Sequence, residues 1–204
     1  MEQISGAFYI NLDRRLDRRK EIEAELGTLG VPYERFPAIQ TIPGCIGCAQ
    51  SHLAVLKEAR SRGYKNLLIF EDDFMPLVSK EEFWELLTKG LQEAPDYDVI
   101  MLGYAINKSE PWLHGETLQK VFDAQTTSGY LVNEKFYDTL ISTWDTGVAQ
   151  LIKTGEHWKY SCDVSWKPLQ PHANWYAFTK RLGKQRPSFA DTGTTPFWAD
   201  YKNA

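Results

Sequence analysis

Short apolar runs alternate along the chain with longer segments in which apolar residues recur every three or four positions. The run at residues 7–12 has the length and composition of a buried strand. Apolar residues then move to helical spacing at Ile22, Leu26 and Leu29, with charged residues between them. The pattern therefore predicts a strand followed by a helix over about residues 15–29.

The same alternation continues to about residue 153. It predicts further strands at residues 31–39, 66–70, 98–103 and 129–132, and further helices at residues 48–62, 79–93 and 135–153. Ser79 and Glu82 form a capping box at the start of one of these helices. The chain beyond residue 160 is aromatic and irregular. Strands that alternate with helices predict an α/β fold with a mostly parallel sheet flanked by helices.

Composition and charge narrow the class of protein. The chain has 204 residues, 43% hydrophobic and 25% charged, as in an ordinary globular domain, and no repeat or linker divides it. We therefore expect a single domain over residues 1–204. A formal charge of −4 gives no electrostatic reason to expect nucleic acid as a partner. No segment approaches the roughly 20 apolar residues that span a bilayer. We therefore expect a cytoplasmic protein, with peripheral membrane association left open.

Three consecutive acidic residues, Glu71, Asp72 and Asp73, directly follow the strand predicted at residues 66–70. In an open α/β sheet, ligands bind beyond the carboxyl ends of the strands, which is where this triplet lies. Adjacent carboxylates repel one another, and a hard divalent cation such as Mg²⁺ or Mn²⁺ relieves that repulsion. A metal held there could bridge a diphosphate and stabilise it as a leaving group. The alternative is a solvated acidic turn.

Four arginines follow the first predicted strand, at positions 14, 15, 18 and 19. Guanidinium groups form paired hydrogen bonds to phosphate oxygens, so this patch could hold a phosphorylated ligand. Each arginine could equally lie on the solvent-exposed face of the first helix, paired with acidic neighbours.

A glycine-containing stretch at residues 44–52 leads into the second predicted helix. Gly44 and Gly47 allow close backbone approach, and the start of the helix would offer free amides to an anion or a sugar hydroxyl. His52, in the same stretch, is either a buried hydrogen-bonded histidine or a catalytic base.

The chain has three cysteines. Cys45 and Cys48 have C-x-x-C spacing, but no second pair of cysteines or histidines has the spacing of a zinc site, and Cys162 is far away in the sequence. A zinc site, a redox pair and a disulfide framework are therefore not favoured.

One aspartate late in the chain lies beside aromatic residues, since Asp163 precedes Trp166 by one helical turn. Sugar sites combine flat rings, which stack on the pyranose, with a carboxylate that accepts hydroxyl protons. Asp163 is therefore a candidate base, and its alternative role is the N-cap of a short helix.

Blocks of sequence in order along the chain resemble glycosyltransferase family 25, which includes bacterial lipooligosaccharide galactosyltransferases and procollagen galactosyltransferases. The blocks that carry the resemblance lie at residues 9–18, 44–52, 68–73, 98–103, 127–132 and 185–191. Residues 44–52 are similar to the family's Gly-x-x-Gly-Cys-x-x-Ser-His motif, and residues 68–73 to its acidic, DXD-like motif. The chain departs from the family at Ala190, where a serine is common. Residues 104–120 have no clear counterpart, and either an acceptor loop or a surface excursion is expected there.

The resemblance implies a GT-A fold, a nucleoside-diphosphate sugar donor, a divalent metal such as Mn²⁺ or Mg²⁺, and inversion at the anomeric carbon. It implies that Asp73 is the direct metal ligand, that Glu71 is a second or water-mediated ligand, and that Asp72 faces the ribose. Implied contacts to uridine or to the diphosphate come from Asn11, Leu12 and Arg14. A C-terminal flap at about residues 180–204 would close over the donor phosphates with Gln185, Arg186 and Ser188.

An inverting reaction needs a base that deprotonates the acceptor hydroxyl on the face opposite the diphosphate. We expect Asp163 to be that base, with His52 as the second candidate. The hypothesis is a metal-dependent glycosyltransferase of glycan or lipopolysaccharide biosynthesis. It would transfer galactose or glucose from a UDP-sugar to a hydroxyl of a glycan or glycoprotein.

Two other functions fit parts of the pattern. A protein of the same fold could bind sugar nucleotides or glycans without turnover. The acidic triplet could instead belong to a receiver-like signalling domain, but such domains are shorter and carry their acidic pair near the N-terminus. The acceptor, the donated sugar and the oligomeric state are not determined by the sequence.

Overall fold

The structure, a computed structural model of the chain, describes residues 4–194 and the backbone of residues 197–199. Its strands are β1 (Ala7–Asn11), β2 (Glu34–Pro37), β3 (Asn66–Glu71), β4 (Phe74–Pro76), β5 (Val99–Pro111), β6 (Leu118–Asn133), β7 (Trp175–Phe178), β8 (Gly183–Gln185), β9 (Ser188–Ala190) and β10 (Phe197–Ala199). Its helices are α1 (Leu16–Leu29), α2 (Gly44–Ser61), α3 (Lys80–Glu93), α4 (Tyr137–Thr154), α5 (His157–Tyr160) and α6 (Cys162–Ser165). Two 3₁₀ turns lie at Glu134–Phe136 and Lys167–Leu169.

Six of these strands form a sheet in the order β2-β1-β3-β6-β5-β7. β1 pairs in parallel with β2 and β3, and β5 pairs in parallel with β7. β6 runs antiparallel to β3, β5 and β7. All the strands of this sheet except β6 therefore point the same way, and the predicted α/β fold with a mostly parallel sheet is confirmed. Within the described residues, no helix is both long and apolar enough to cross a bilayer.

Alternate residues of the central strands fill two separate cores because successive side chains of a strand point to opposite faces of the sheet. On β3, Leu67 and Ile69 pack in the cluster that contains the apolar faces of α2 and α4. Leu68 and Phe70 pack in the cluster that contains those of α1 and α3. All four side chains are fully buried. Burial on both faces explains why the sequence shows a continuous apolar run here.

Helix α2 and the strands β5 and β6 extend further than the sequence pattern predicts. Helix α2 begins at Gly44, about one turn before the predicted start. Residues 104–120 are largely the two arms of a β5–β6 hairpin, and only the tip between Pro111 and Leu118 is not strand. The apolar signal marked only the inner part of β5, because its outer half is exposed and polar.

The aromatic residues beyond position 160 mostly build the core. Trp166, Trp175 and Phe178 are fully buried, and the indole rings of Trp166 and Trp175 pack edge to face at 4.9 Å. The expected stacking surface beside Asp163 is therefore not formed by Trp166, which faces Tyr130 and Trp144 instead. A large flat ring gains more from burial than from exposure, so the protein interior takes it.

The glycines at the start of α2 allow close approach of the protein's own backbone. A Cβ on Gly44 would lie 1.8 Å from the carbonyl oxygen of Asp191, and one on Gly47 would lie 2.1 Å from that of Ile39. Both distances are far shorter than any real contact, so only glycine fits.

The first amides of α2 are occupied by protein groups. Gly44 donates its N–H to the Gly193 carbonyl, and Cys45 donates its N–H to the Thr192 carbonyl at 2.7 Å. Gly47 donates to the Thr41 hydroxyl at 2.7 Å. The expectation that this helix offers free amides to an anion or a sugar hydroxyl is therefore wrong, because the C-terminal segment caps the helix instead.

We expect Gly47→Ala to lower the free energy of unfolding by about 1–3 kcal/mol, because its methyl group must displace the backbone at Ile39. Gly27→Ala is the matched control, since a Cβ there meets nothing within 4 Å in helix α1. Alanine at this helical position should raise stability by about 0.5–1 kcal/mol. Urea unfolding followed by circular dichroism measures both changes. Equal effects of the two substitutions would contradict the steric explanation.

Candidate functional site

The site lies where β1 and β3 end at the same edge of the sheet. Ile10 and Glu71 are partners in the parallel β1–β3 ladder, so the residues that follow them, Asn11 and Asp72, become neighbours. Asn11 donates its side-chain amide to Asp72 Oδ2 at 2.7 Å. The strand register therefore brings together two of the residues that the sequence places at a ligand site.

Asp73 is a buried carboxylate with incomplete pairing. It is 4% exposed, and among the described residues its Oδ1 atom finds no hydrogen-bond partner. Burial, with the neighbouring charges of Glu71 and Asp72, raises the pKa of Asp73 to about 8. This burial is incompatible with a solvated acidic turn. A free, buried carboxylate oxygen fits a hard divalent cation, which would supply the missing positive charge.

Arg18 is the cationic partner of the acidic triplet. Its Nη1 atom lies 2.8 Å from Asp72 Oδ1 and 3.2 Å from Asp73 Oδ2, and its side chain is nearly buried. Its Nη2 atom donates to the Ser188 hydroxyl and to the Phe189 carbonyl. One guanidinium thus ties two carboxylates to strand β9 near the C-terminus.

Glu71 is held by three side chains. Its Oε1 atom accepts a 2.6 Å hydrogen bond from the Thr127 hydroxyl and lies 3.1 Å from His52 Nε2. Its Oε2 atom accepts from Gln185 Nε2 at 3.3 Å. Burial by itself would raise the pKa of Glu71, but His52 and Thr127 stabilise the carboxylate, and the net pKa is lowered. Glu71 is therefore ionised and oriented.

His52 is buried and hydrogen-bonded through both ring nitrogens. Its Nδ1 atom lies 2.9 Å from the Tyr130 hydroxyl, and its Nε2 atom faces Glu71. Burial alone lowers the pKa of His52, but negative charge on Cys162 and Glu71 outweighs burial, and the net pKa is raised. The interpretation of His52 as a buried hydrogen-bonded histidine thus agrees with the geometry.

A cavity of about 120 Å³ lies in front of these carboxylates. Many of the predicted donor-site and metal-site residues line it: Asn11, Leu12, Arg14, Glu71, Asp72, Asp73 and Gln185. Ser188 does not line the cavity but contacts Arg18, which does. Arg186 is not among the lining residues, because its guanidinium pairs with Glu25 on α1.

The other arginines of the sequence patch are also paired. Arg14 and Arg15 both bind Asp191, and Arg19 binds Glu23 one turn along α1. Arg14 remains about half exposed at the cavity wall, so it is the member of the patch most available to a ligand.

A larger groove of about 1100 Å³ adjoins the cavity. The groove and the cavity share the wall residues Cys48, Glu71, Gln185 and Thr192. Asp163 lines the groove, and so does Trp158, whose side chain is 65% exposed. Two adjoining spaces of different size are suited to two substrates that meet at the shared wall.

Asp163 is held in place by local hydrogen bonds. The Ser161 hydroxyl donates to its Oδ1 atom at 2.8 Å, and the backbone N–H of Thr126 also donates to its carboxylate. Thr126 has a φ of 79°, a left-handed conformation that a β-branched residue rarely adopts. Burial raises the pKa of Asp163, which suits a base that works near neutral pH. Ser161, not Asp163, is the residue that precedes helix α6.

Sequence reasoning missed several residues of this site. Thr127 and Tyr130 lie in an apolar strand pattern that gave no reason to single them out, and both orient the Glu71–His52 pair. Trp158 lies in a short helix without periodic signal, yet it is the exposed aromatic residue of the groove. Only the path of the chain brings these side chains to one edge.

Comparisons with known proteins support the fold. No protein-family model matches the chain, and no curated protein matches it. A glycosyltransferase involved in glycosylation of the major capsid of PBCV-1 superposes with a TM-score of 0.55 at 9% identity, over 91% of this chain and 94% of that one. A mannose-1-phosphate geranyltransferase from Thermus thermophilus superposes with a TM-score of 0.53 at 12% identity, over 96% of this chain and 76% of that one. The chain therefore has the GT-A type fold, as predicted.

We expect Arg18→Met to lower the free energy of unfolding by about 3–5 kcal/mol, because it leaves buried carboxylates of Asp72 and Asp73 without their cation. Arg18→Lys keeps a charge and should lose less. Arg19→Met, one position along the same helix, removes only an exposed ion pair and should change stability little. Urea unfolding at pH 7 compares the three variants. A loss in Arg19→Met as large as that in Arg18→Met would refute the assignment.

Proposed function

We propose that the protein is a metal-dependent inverting glycosyltransferase related to family 25. It transfers galactose or glucose from a UDP-sugar to a hydroxyl of a glycan or glycoprotein. The observation that carries this proposal is the buried Oδ1 atom of Asp73, which has no hydrogen-bond partner within the described part of the chain. It lies at the wall of a small cavity beside a larger groove. The cytoplasmic location expected from the sequence belongs to the same proposal.

The small cavity is the proposed donor site. Asp73 would be the direct ligand of Mn²⁺ or Mg²⁺, which supplies charge neutralisation of the diphosphate leaving group. Glu71 would join as a second ligand by giving up its 3.3 Å hydrogen bond from Gln185. Asn11, Leu12 and Arg14 line the cavity wall where uridine or phosphate oxygens would lie.

The C-terminal segment is the proposed flap over this donor site. Gln185 contacts Glu71 directly, and Ser188 contacts Arg18, the cationic partner of the acidic triplet. Arg186 must leave Glu25 before its guanidinium can reach a phosphate, although its backbone N–H already donates to the Asp73 carbonyl at 2.7 Å. The structure describes the flap predicted at about 180–204 to residue 194 and again in the backbone of residues 197–199. Residues 195–196 and 200–204 lie outside the described residues.

The larger groove is the proposed acceptor site. Asp163 is the preferred base because it lines the groove and has an elevated pKa. Trp158 presents an exposed ring on which a pyranose can stack. His52 is the weaker candidate, since both of its ring nitrogens are engaged inside the protein.

A sugar-nucleotide or glycan-binding protein without turnover is the second candidate. It is favoured by one observation: Arg18 already contacts Asp72 and Asp73 and supplies positive charge where a metal would otherwise supply it. The two candidates differ in the role of Asp163, because a binding protein has no use for a base.

We expect wild-type protein to bind UDP in the presence of Mn²⁺, and Asp73→Asn to lose most of that affinity because the metal loses its charged ligand. EDTA should abolish the binding of the wild type. Isothermal titration calorimetry measures both effects. Asp145→Asn, on the exposed surface of α4, is the control and should bind like the wild type. UDP binding that is independent of both Mn²⁺ and Asp73 would end the metal-dependent proposal.

We expect Asp163→Asn to lower kcat by about 10²- to 10⁴-fold while leaving the affinity for UDP unchanged, because a general base acts only in the chemical step. The assay is metal-dependent turnover of UDP-galactose and UDP-glucose with a panel of sugar acceptors. Asp138→Asn, a highly exposed residue of α4, is the matched control. Unchanged kcat in Asp163→Asn, with loss in His52→Gln, would assign the base to His52.

A further inference from the structure

Three soft or borderline metal ligands meet between the two cavities. Cys48 and His52 lie one turn apart on α2, and Cys162 begins helix α6. The candidate ligand atoms of the three side chains all lie within 4.8 Å of one another. His52 and Cys162 are buried, and Cys48 is partly buried. The sequence gives no metal-site spacing for this set, because the third residue comes from a distant segment.

We propose that Cys48, His52 and Cys162 form a Zn²⁺ site with three protein ligands and a fourth position on the groove. Zinc bonds of about 2.3 Å to sulfur and about 2.0 Å to nitrogen place tetrahedral ligands roughly 3.4–3.8 Å apart. From a maximum separation of 4.8 Å, the side chains need to move together by only about 1 Å. Changes of side-chain torsion within one rotamer can supply a movement of this size.

The surroundings of the three residues match those of a metal centre. Whichever ring nitrogen of His52 binds the metal, the other keeps a hydrogen-bond partner, either Tyr130 through Nδ1 or Glu71 through Nε2. The Thr127 hydroxyl lies 3.5 Å from Cys162 Sγ and can donate to a thiolate. Such outer partners orient the ligands of metal sites and tune their basicity.

The backbone of Cys162 is also fixed. Trp144 donates its indole N–H to the Cys162 carbonyl at 3.1 Å, and its ring packs edge to face against His52 at 5.9 Å. The indole therefore forms an apolar wall that holds two of the three proposed ligands. A rigid, mostly dry wall on one side favours a preformed site over a flexible cluster of thiols.

Ligand chemistry separates this site from the proposed cation site at Asp73. Thiolate and imidazole ligands select zinc, whereas carboxylate oxygens suit Mn²⁺ and Mg²⁺. Binding converts two thiols to thiolates, so one Zn²⁺ is taken up and two protons are released to solvent. Cys48 and Cys162 both line the groove, so the fourth zinc ligand is a water molecule or an oxygen of a molecule bound in the groove. This inference does not depend on the proposed glycosyl transfer.

The first test uses the full chain, reduced, freed of metal and titrated with Co²⁺ as a spectroscopic substitute for Zn²⁺. The wild type should bind one Co²⁺ per chain with thiolate-to-cobalt charge-transfer absorption, and Zn²⁺ should displace it. Cys48→Ser and Cys162→Ser should weaken Co²⁺ binding by more than about 100-fold, because even outer-partner losses cost about 10- to 100-fold. Cys45→Ser should bind like the wild type, since Cys45 lies on the same helix outside the cluster.

A second measurement uses only the wild type and does not depend on how the variants fold. Alkylation of the reduced protein, mapped by mass spectrometry, should be slowed by Zn²⁺ at Cys48 and Cys162 but not at Cys45.

In the cobalt titration, Asp73→Asn should retain the charge-transfer absorption. Failure of the zinc site is therefore distinguishable from failure of the proposed donor site.

Absence of charge-transfer absorption from the reduced wild type would overturn the proposal, as would equal protection of all three cysteines. A redox pair would replace the metal site if a Cys48–Cys162 disulfide re-forms in air and the reduced protein binds no zinc.

Discussion

A buried guanidinium makes the acidic edge of this sheet possible. Asp72 and Asp73 are buried and Glu71 is partly buried, so three carboxylates lie close together where like charges repel strongly. Arg18 contacts Asp72 and Asp73, and His52 contacts Glu71. Burial first, and then the charges of Glu71 and Asp72, raise the pKa of Asp73 to about 8, so the positive charge of Arg18 does not offset them. A divalent cation would complete this balance, which is why the site suggests a metal.

The same edge determines how the two cavities relate. Glu71 is one of the residues in the wall that they share, and it is held from three directions by His52, Thr127 and Gln185. These partners come from α2, β6 and β8, so the wall exists only when the sheet, the helix and the C-terminal segment are assembled. A donor on one side and an acceptor on the other would meet next to a rigid, charged side chain. Positioning of this kind is a major source of rate enhancement in group transfer.

The C-terminal segment also contacts the arginine patch and the start of helix α2. Asp191 binds Arg14 and Arg15, and the backbone carbonyls of Thr192 and Gly193 cap helix α2. These contacts replace the anion that the glycine-containing stretch at residues 44–52 suggested. The helix that carries His52 and Cys48 is therefore held by the segment proposed to cover the donor.

The order of helices and strands could be predicted from local patterns in the sequence, because helical and strand periodicity depend on residues that are close together in the chain. The apolar run that precedes Glu71 is found as predicted, and the helix predicted over about residues 15–29 is found at residues 16–29. Ser79 caps its helix by accepting from the Glu82 N–H, but the Glu82 side chain, the other half of the predicted capping box, pairs with Lys180. The acidic triplet could be predicted to lie at the edge of the sheet because it directly follows a predicted strand. The burial of Asp72 and Asp73, however, depends on what packs around them, and so does the lack of a partner for Asp73 Oδ1 among the residues that the structure describes.

Only the tertiary structure decided which distant side chains meet. Arg18 continues the buried helical series of Ile22 and Leu26, whereas Arg19 does not. The helical period alone, however, does not record that Arg18 meets Asp72 and Asp73 there. Trp166 has the sequence context of a sugar-stacking ring, yet the core takes it and Trp158 faces the groove. The side chains of Cys48 and Cys162 lie close together, although more than half of the chain separates the two residues in the sequence. Contacts of this kind follow from the packing of whole elements on the sheet, which no spacing in the sequence records.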